Sequence, residues 1–136
     1  MKGTETMPTI LFVLFAISFL PIFLAWAGVY FRIRQFGTFD NYHPRQQQAA
    51  LVGAGARVQG AQANAWESLT VFTMVCFIAY ASGLDLNQLD GVALLYLAAR
   101  VLHPILYIAN LAWFRSAIYA VGMGCCLCIV YLAASQ

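Results

Sequence analysis

The chain has 136 residues, 62% of them hydrophobic and only 9% charged, with a net charge of +2. A soluble domain carries about 25% charged residues, so this composition excludes a surface that faces water all round, and the length allows one domain, 1–136. The charges are scattered, with no run of like sign, which argues against a nucleic-acid-binding surface.

The first apolar stretch, Pro8 to Phe31, contains no charged side chain. It outruns the roughly 7–15 residue core of a signal peptide and ends in no A-x-A-like cleavage site, so it reads as a retained membrane span. Pro21 interrupts it and predicts a kink, which a membrane helix tolerates when neighbours cover the freed carbonyl. Arg32 to Gln48 is a polar connection with Gly37, Asp40, Asn41, His43 and Pro44. Asn41 to Pro44 reads as a turn, with Pro44 opening the next helix.

A second span is expected over about 49–81, carrying Arg57, Asn64 and Glu67. At about 1.5 Å per residue a helix of that length exceeds the hydrocarbon thickness, so its polar first half is expected to project from the bilayer. Ser82-Gly83 and Asp85 to Asp90 make a short polar link. The third span is expected over about 91–113, with Arg100 and His103, and the fourth over about 115–134, uncharged after Arg115. The fold class is therefore an all-α membrane protein, a four-transmembrane-helix bundle. Cys76, Cys125, Cys126 and Cys128 lie in apolar runs and read as small packing residues, with no metal site expected.

Arg32, Arg34, Arg45 and Arg57 flank the first loop and Arg115 the third, while the second has Asp85 and Asp90 and no basic residue. The N-terminus has Lys2 against Glu5. By the positive-inside rule the first and third loops face the cytoplasm, and both termini and the second loop face the other side. The expected location is a bacterial inner membrane.

Ionisable side chains inside membrane helices face a bundle interior or a wet cavity. Arg57, Asn64 and Glu67 fall on one stripe of the second span, with Gly60 and Ala61, and Arg100, His103 and Tyr107 on one stripe of the third. Glu67 and Arg100 are expected near mid-membrane, where an ion pair would offset part of their desolvation. Pro104 removes a hydrogen bond from the Arg100 carbonyl, which predicts a bend of either functional or packing origin. Each polar residue alone could serve as glue between helices. With Tyr119 they make a cluster in which donors outnumber carboxylates, which points to a small anionic ligand with polar arms.

At these residues the chain resembles the membrane-associated proteins in eicosanoid and glutathione metabolism, the MAPEG family. The resemblance lies in Arg57-Val58, Ala61, Asn64 and Glu67 on the second span, Arg100, His103 and Tyr107 on the third, and Arg115, Ser116 and Tyr119 on the fourth. It implies a homotrimer that binds glutathione between subunits near the cytoplasmic side, and an activity as glutathione transferase or peroxidase on hydrophobic electrophiles or lipid hydroperoxides. It further implies that Gln62, Asn64, Glu67, Arg100, His103, Tyr107 and Tyr119 hold the tripeptide, that Arg115 stabilises its thiolate, and that Ser116 is a nearby hydroxyl. The chain departs from the family pattern at Gly60, where many members have arginine, and at Ala56, where many have an acidic residue. The alternatives are a four-helix transporter of small molecules, a haem-binding anchor with His103 as ligand, and a non-catalytic interaction protein.

Overall fold

A computed structural model describes residues 6–136; Lys2 and Glu5, which entered the orientation argument, lie outside them. The first helical stretch is α1 (Thr9–Ser18) followed by α2 (Leu20–Phe36). The break falls at Phe19, just before buried Pro21, whose ring nitrogen cannot donate to the preceding turn. There the Phe19 amide turns back to the Ala16 carbonyl at 3.3 Å, and the ladder resumes with Phe23 to Phe19 at 2.9 Å. The proline interrupts the helix as the sequence predicted.

Gly37 ends α2 in the left-handed region, φ 76°. In the loop that follows, Asp40 Oδ1 accepts from the amides of Tyr42 and His43 at 2.8 and 2.9 Å. Those contacts, the His43 amide first, hold its carboxyl below the usual carboxylate range. Pro44 opens a helix, but a short one: α3 (Pro44–Ala49) stops, and α4 (Gly53–Ala81) begins only at a glycine with φ 58°. The expected start at 49 is therefore four residues early, because Leu51 turns inward and Gly53 resets the chain direction. Gln35 bridges the break, donating to the Ala50 carbonyl and accepting from the Val52 amide, both at 3.0 Å.

After α4, Asp85 caps a single 3₁₀ turn, Leu86–Leu89, and α5 (Asp90–Ile108) follows. The α5 helix passes through Pro104 and ends five residues before the expected limit of 113. Asn110, φ 61°, closes it. The Leu111 amide bonds to the Leu106 carbonyl and the Asn110 amide to the Tyr107 carbonyl, at 3.0 and 3.1 Å, the pairing of a Schellman turn. The last helix, α6 (Ala112–Ala134), thus starts three residues before Arg115.

The apolar core occupies the end of the bundle near the second loop. Ile10, Val13 and Ile17 of α1 meet Phe72, Val75 and Ala79 of α4, Ala93 of α5 and Ile129 of α6. Phe72 and Tyr96 stack there with centroids 3.9 Å apart and planes 7° from parallel. Cys76, Cys125 and Cys126 are buried in this core, whereas Cys128 faces outward. A smaller cluster of Leu24, Ala61 and Ala65 supports the other end, where the polar residues gather.

Three stretches, Thr9–Phe36, Leu86–Ile108 and Ala112–Ala134, are long and apolar enough to cross a membrane. The 29-residue α4 has the length, but Arg57, Gln59, Gln62, Asn64 and Glu67 make its first half too polar to count with them. Phe12, Phe15, Phe23, Trp26, Phe77 and Leu127 are each more than half exposed. An exposed apolar surface of that extent needs a non-aqueous surrounding.

Candidate functional site

The site is set by the α5–α6 turn. The Schellman closure at Asn110 reverses the chain tightly, so Tyr107 in the last turn of α5 stands beside Arg115 in the first turns of α6. The Arg115 guanidinium carbon lies 4.3 Å from the Tyr107 ring centroid, over its face. Arg57 of α4 pins this end of the pair, its Nε donating to the Ile108 carbonyl at 2.9 Å. That carbonyl belongs to the negative end of the α5 dipole, where a cation is favoured.

Between α4, α5 and α6 lies a concavity of about 300 Å³ lined by Asn64, His103, Tyr107, Arg115, Ser116 and Tyr119, at the small end of ordinary ligand sites. His103 is 2% exposed, and its Nδ1 has no hydrogen-bond partner. Its ring meets Tyr107 and Tyr119 at centroid distances of 5.8 and 6.2 Å. A buried unpaired nitrogen is costly, and here it belongs to a residue that lines a polar pocket, so a ligand with hydrogen-bonding arms would complete it.

Arg100 lies deeper, 3% exposed, and donates through Nη2 to Asn64 Oδ1 at 2.8 Å. This replaces the expected Glu67–Arg100 ion pair. The only ion pair among the described residues is His43–Asp40. Seen down the α4 axis, Asn64 points at α5, while Glu67, about 60° round the helix, is exposed on the outside of the chain. Arg100 also lines a void of about 10 Å³ with Ser68, Tyr96, Tyr119 and Cys126, room for about one water.

The sequence pattern of the MAPEG family matches residues 10–135, nearly the whole chain. The chain belongs to the MAPEG family. No curated protein and no solved structure matches it. MAPEG membership and the apolar helices make the chain an integral membrane protein with a glutathione- or eicosanoid-related role, in a family that holds both enzymes and non-enzymes.

Of the residues that the MAPEG resemblance singled out, Asn64, His103, Tyr107, Arg115, Ser116 and Tyr119 come together in one pocket, with Arg100 behind Asn64. Gln62 does not join them. It accepts from Gln48 Nε2 at 3.1 Å, in a separate polar hollow with Arg45, Gln59 and Trp66. One residue of this neighbourhood escaped the sequence reading, and another was noted without its neighbour. Tyr96 donates to the Ser68 carbonyl at 3.1 Å, and Gly60 lies directly under Tyr107. Tyr96 was there to be found, since it sits one helical turn before Arg100 on the same stripe.

Proposed function

We propose that this chain is a membrane glutathione transferase or peroxidase, acting on hydrophobic electrophiles or lipid hydroperoxides and assembled as a homotrimer. The observation that carries the reading is the pocket itself: six polar residues from three helices, one arginine at its mouth, and a buried histidine nitrogen without a partner. Glutathione suits that donor set. It has two carboxylates and an amine for the polar arms, and a thiol that titrates near pH ~8.5 when unperturbed.

Bound there, glutathione supplies a thiolate, the form that attacks an electrophilic carbon or a peroxide oxygen. Arg115 stabilises that charge and so raises the thiolate fraction at neutral pH. Ser116, next in the chain, offers a hydroxyl to the same sulfur. His103, Tyr107, Tyr119 and Asn64 hold the tripeptide backbone and carboxylates, with Arg100 fixing the Asn64 amide from behind. Glu67 and Gln62 face away from the pocket of their own protomer, so in this reading they act across a subunit boundary. The small residues Gly60, Ala61 and Ala65 serve close helix approach within the chain, under Tyr107 and beside Leu24. In the same reading α4 is the fourth membrane crossing. The first and third loops then face the cytoplasm and both termini the other side of a bacterial inner membrane.

Calorimetric titration of the purified protein with glutathione tests the assignment, with saturable binding expected. Absence of binding in a folded trimer would overturn it. Native mass spectrometry in mild detergent should show three copies, and a stable monomer would remove the intersubunit role of Glu67 and Gln62.

A further inference from the structure

The hydroxyl end of Tyr107 rests where a side chain at position 60 would be. A Cβ on Gly60 would stand 2.5 Å from Tyr107 Oη, 2.8 Å from Cζ and 3.2 Å from Cε1, closer than carbon atoms approach without displacement. The Arg115 guanidinium lies over the face of the same ring, 4.3 Å from its centroid. Arg115 has no carboxylate partner among the described residues. A guanidinium within about 6 Å of an aromatic centroid is attracted to the ring face, so the Tyr107 ring is what locates this long and otherwise unanchored side chain.

We propose that Gly60 is a positioning residue: its missing side chain seats Tyr107, and the seated ring fixes where the Arg115 charge stands in the pocket. The inference rests on the glutathione reading above and deepens it by giving the departure at Gly60 a role. The ring borders the open pocket and can yield in that direction. His103 packs against it at 5.8 Å, and the bond from Arg57 to the Ile108 carbonyl holds the end of α5 against α4. A methyl at position 60 therefore moves the ring, and the guanidinium moves with it. An arginine at position 60, as in many MAPEG members, would require Tyr107 to stand elsewhere. In this chain the cation at the thiol is held from α5 in place of a second cation on α4.

The test is the ultraviolet absorbance of bound thiolate against pH, with steady-state conjugation rates, for the purified trimer. Gly60→Ala should raise the bound thiol's pKa by about 0.5–1 unit. Turnover at saturating glutathione and neutral pH should fall about three- to tenfold and recover at alkaline pH, alongside a rise in KM from the displaced Tyr107. Adding Tyr107→Phe to Gly60→Ala removes the oxygen nearest the new methyl and should restore part of the loss. In a Tyr107→Leu background, Gly60→Ala should change nothing further, because its effect passes through the ring. Thermal melts without glutathione should show the same coupling between positions 60 and 107. A Gly60→Ala trimer with a wild-type thiolate titration overturns the inference and leaves the glutathione reading standing. So does an equal shift in both Tyr107 backgrounds. A folded wild type with no bound thiolate overturns the glutathione reading, and the inference with it.

Discussion

The two polar faces of α4 have the same kinds of side chain and meet different fates. On the face turned toward α5 and α6, Arg57, Gly60, Asn64 and Ser68 each meet a specific neighbour: the Ile108 carbonyl, the Tyr107 ring, the Arg100 guanidinium and the Tyr96 hydroxyl. On the opposite face, Gln59, Gln62 and Trp66 line a shallow hollow with Arg45 and Gln48, and one side-chain hydrogen bond, Gln48 to Gln62, joins the two helices there. Glu67 lies outside both sets, exposed. One face builds a pocket inside the chain, whereas the other leaves polar side chains with few partners from the rest of the chain. Polar residues on a membrane helix thus mark a site only where a partner element comes to meet them.

The substitution with the largest expected effect lies across the pocket from the inner face. Arg115→Leu removes the one cation at the mouth, and the bound thiol's pKa should rise by about 1–3 units. Turnover with a generic hydrophobic electrophile at neutral pH should fall about ten- to a hundredfold, while glutathione affinity stays within a few-fold, since only the reacting charge is lost. Arg115→Lys keeps a point charge without the planar fork and should retain part of the rate. Wild-type turnover in Arg115→Leu, with an unchanged thiolate titration, would take the chemistry away from this pocket.

Second in size is a loss of stability on the inner face. Asn64→Leu strands the 3%-exposed Arg100 guanidinium, whose bond to Asn64 is 2.8 Å long. Losing a hydrogen bond to a buried charged group costs about 1.5–3 kcal/mol, which a thermal melt of the purified protein would register as a clear drop. Asn64→Asp keeps an acceptor and should melt close to wild type. If Asn64→Leu melts like wild type, Arg100 has another partner and the contrast between the faces fails.

The sequence made the inner face legible through its periodicity. Asn64 in α4 and Arg100, His103 and Tyr107 in α5 lie at helical spacings that needed no tertiary information, and they do converge. Periodicity went wrong where a rotation of about 60° decides the neighbour. Glu67 shares a broad stripe with Asn64 but turns past α5, so electrostatic complementarity alone paired it with the wrong residue. The helix limits depended on single-residue backbone choices, Gly53 and Asn110 at positive φ, which composition leaves open. The role of Gly60 was illegible for a related reason. A glycine can be read as an absent contact, and only the placement of Tyr107 turns that absence into a seat.

The smallest expected effect tests the comparison from the other side. Glu67→Leu removes a carboxylate that makes no ion pair among the described residues and is exposed on the chain's surface. Substitutions of that kind usually stay within about ±0.5 kcal/mol, so the melt of Glu67→Leu should overlay the wild type, where an ion pair with Arg100 would have required a loss of about 3–5 kcal/mol. Glutathione affinity is a separate readout. If Glu67 receives the amine of a tripeptide bound at a subunit boundary, both Glu67→Leu and Glu67→Gln should weaken binding without moving the melt. The double variant Asn64→Leu with Glu67→Leu closes the argument, because residues with no shared partner add their effects within about 0.3–0.5 kcal/mol. Additivity keeps the two side chains on separate faces. A Glu67→Leu melt as low as that of Asn64→Leu, with a non-additive double variant, would put Glu67 back beside Arg100 and merge the faces into one site.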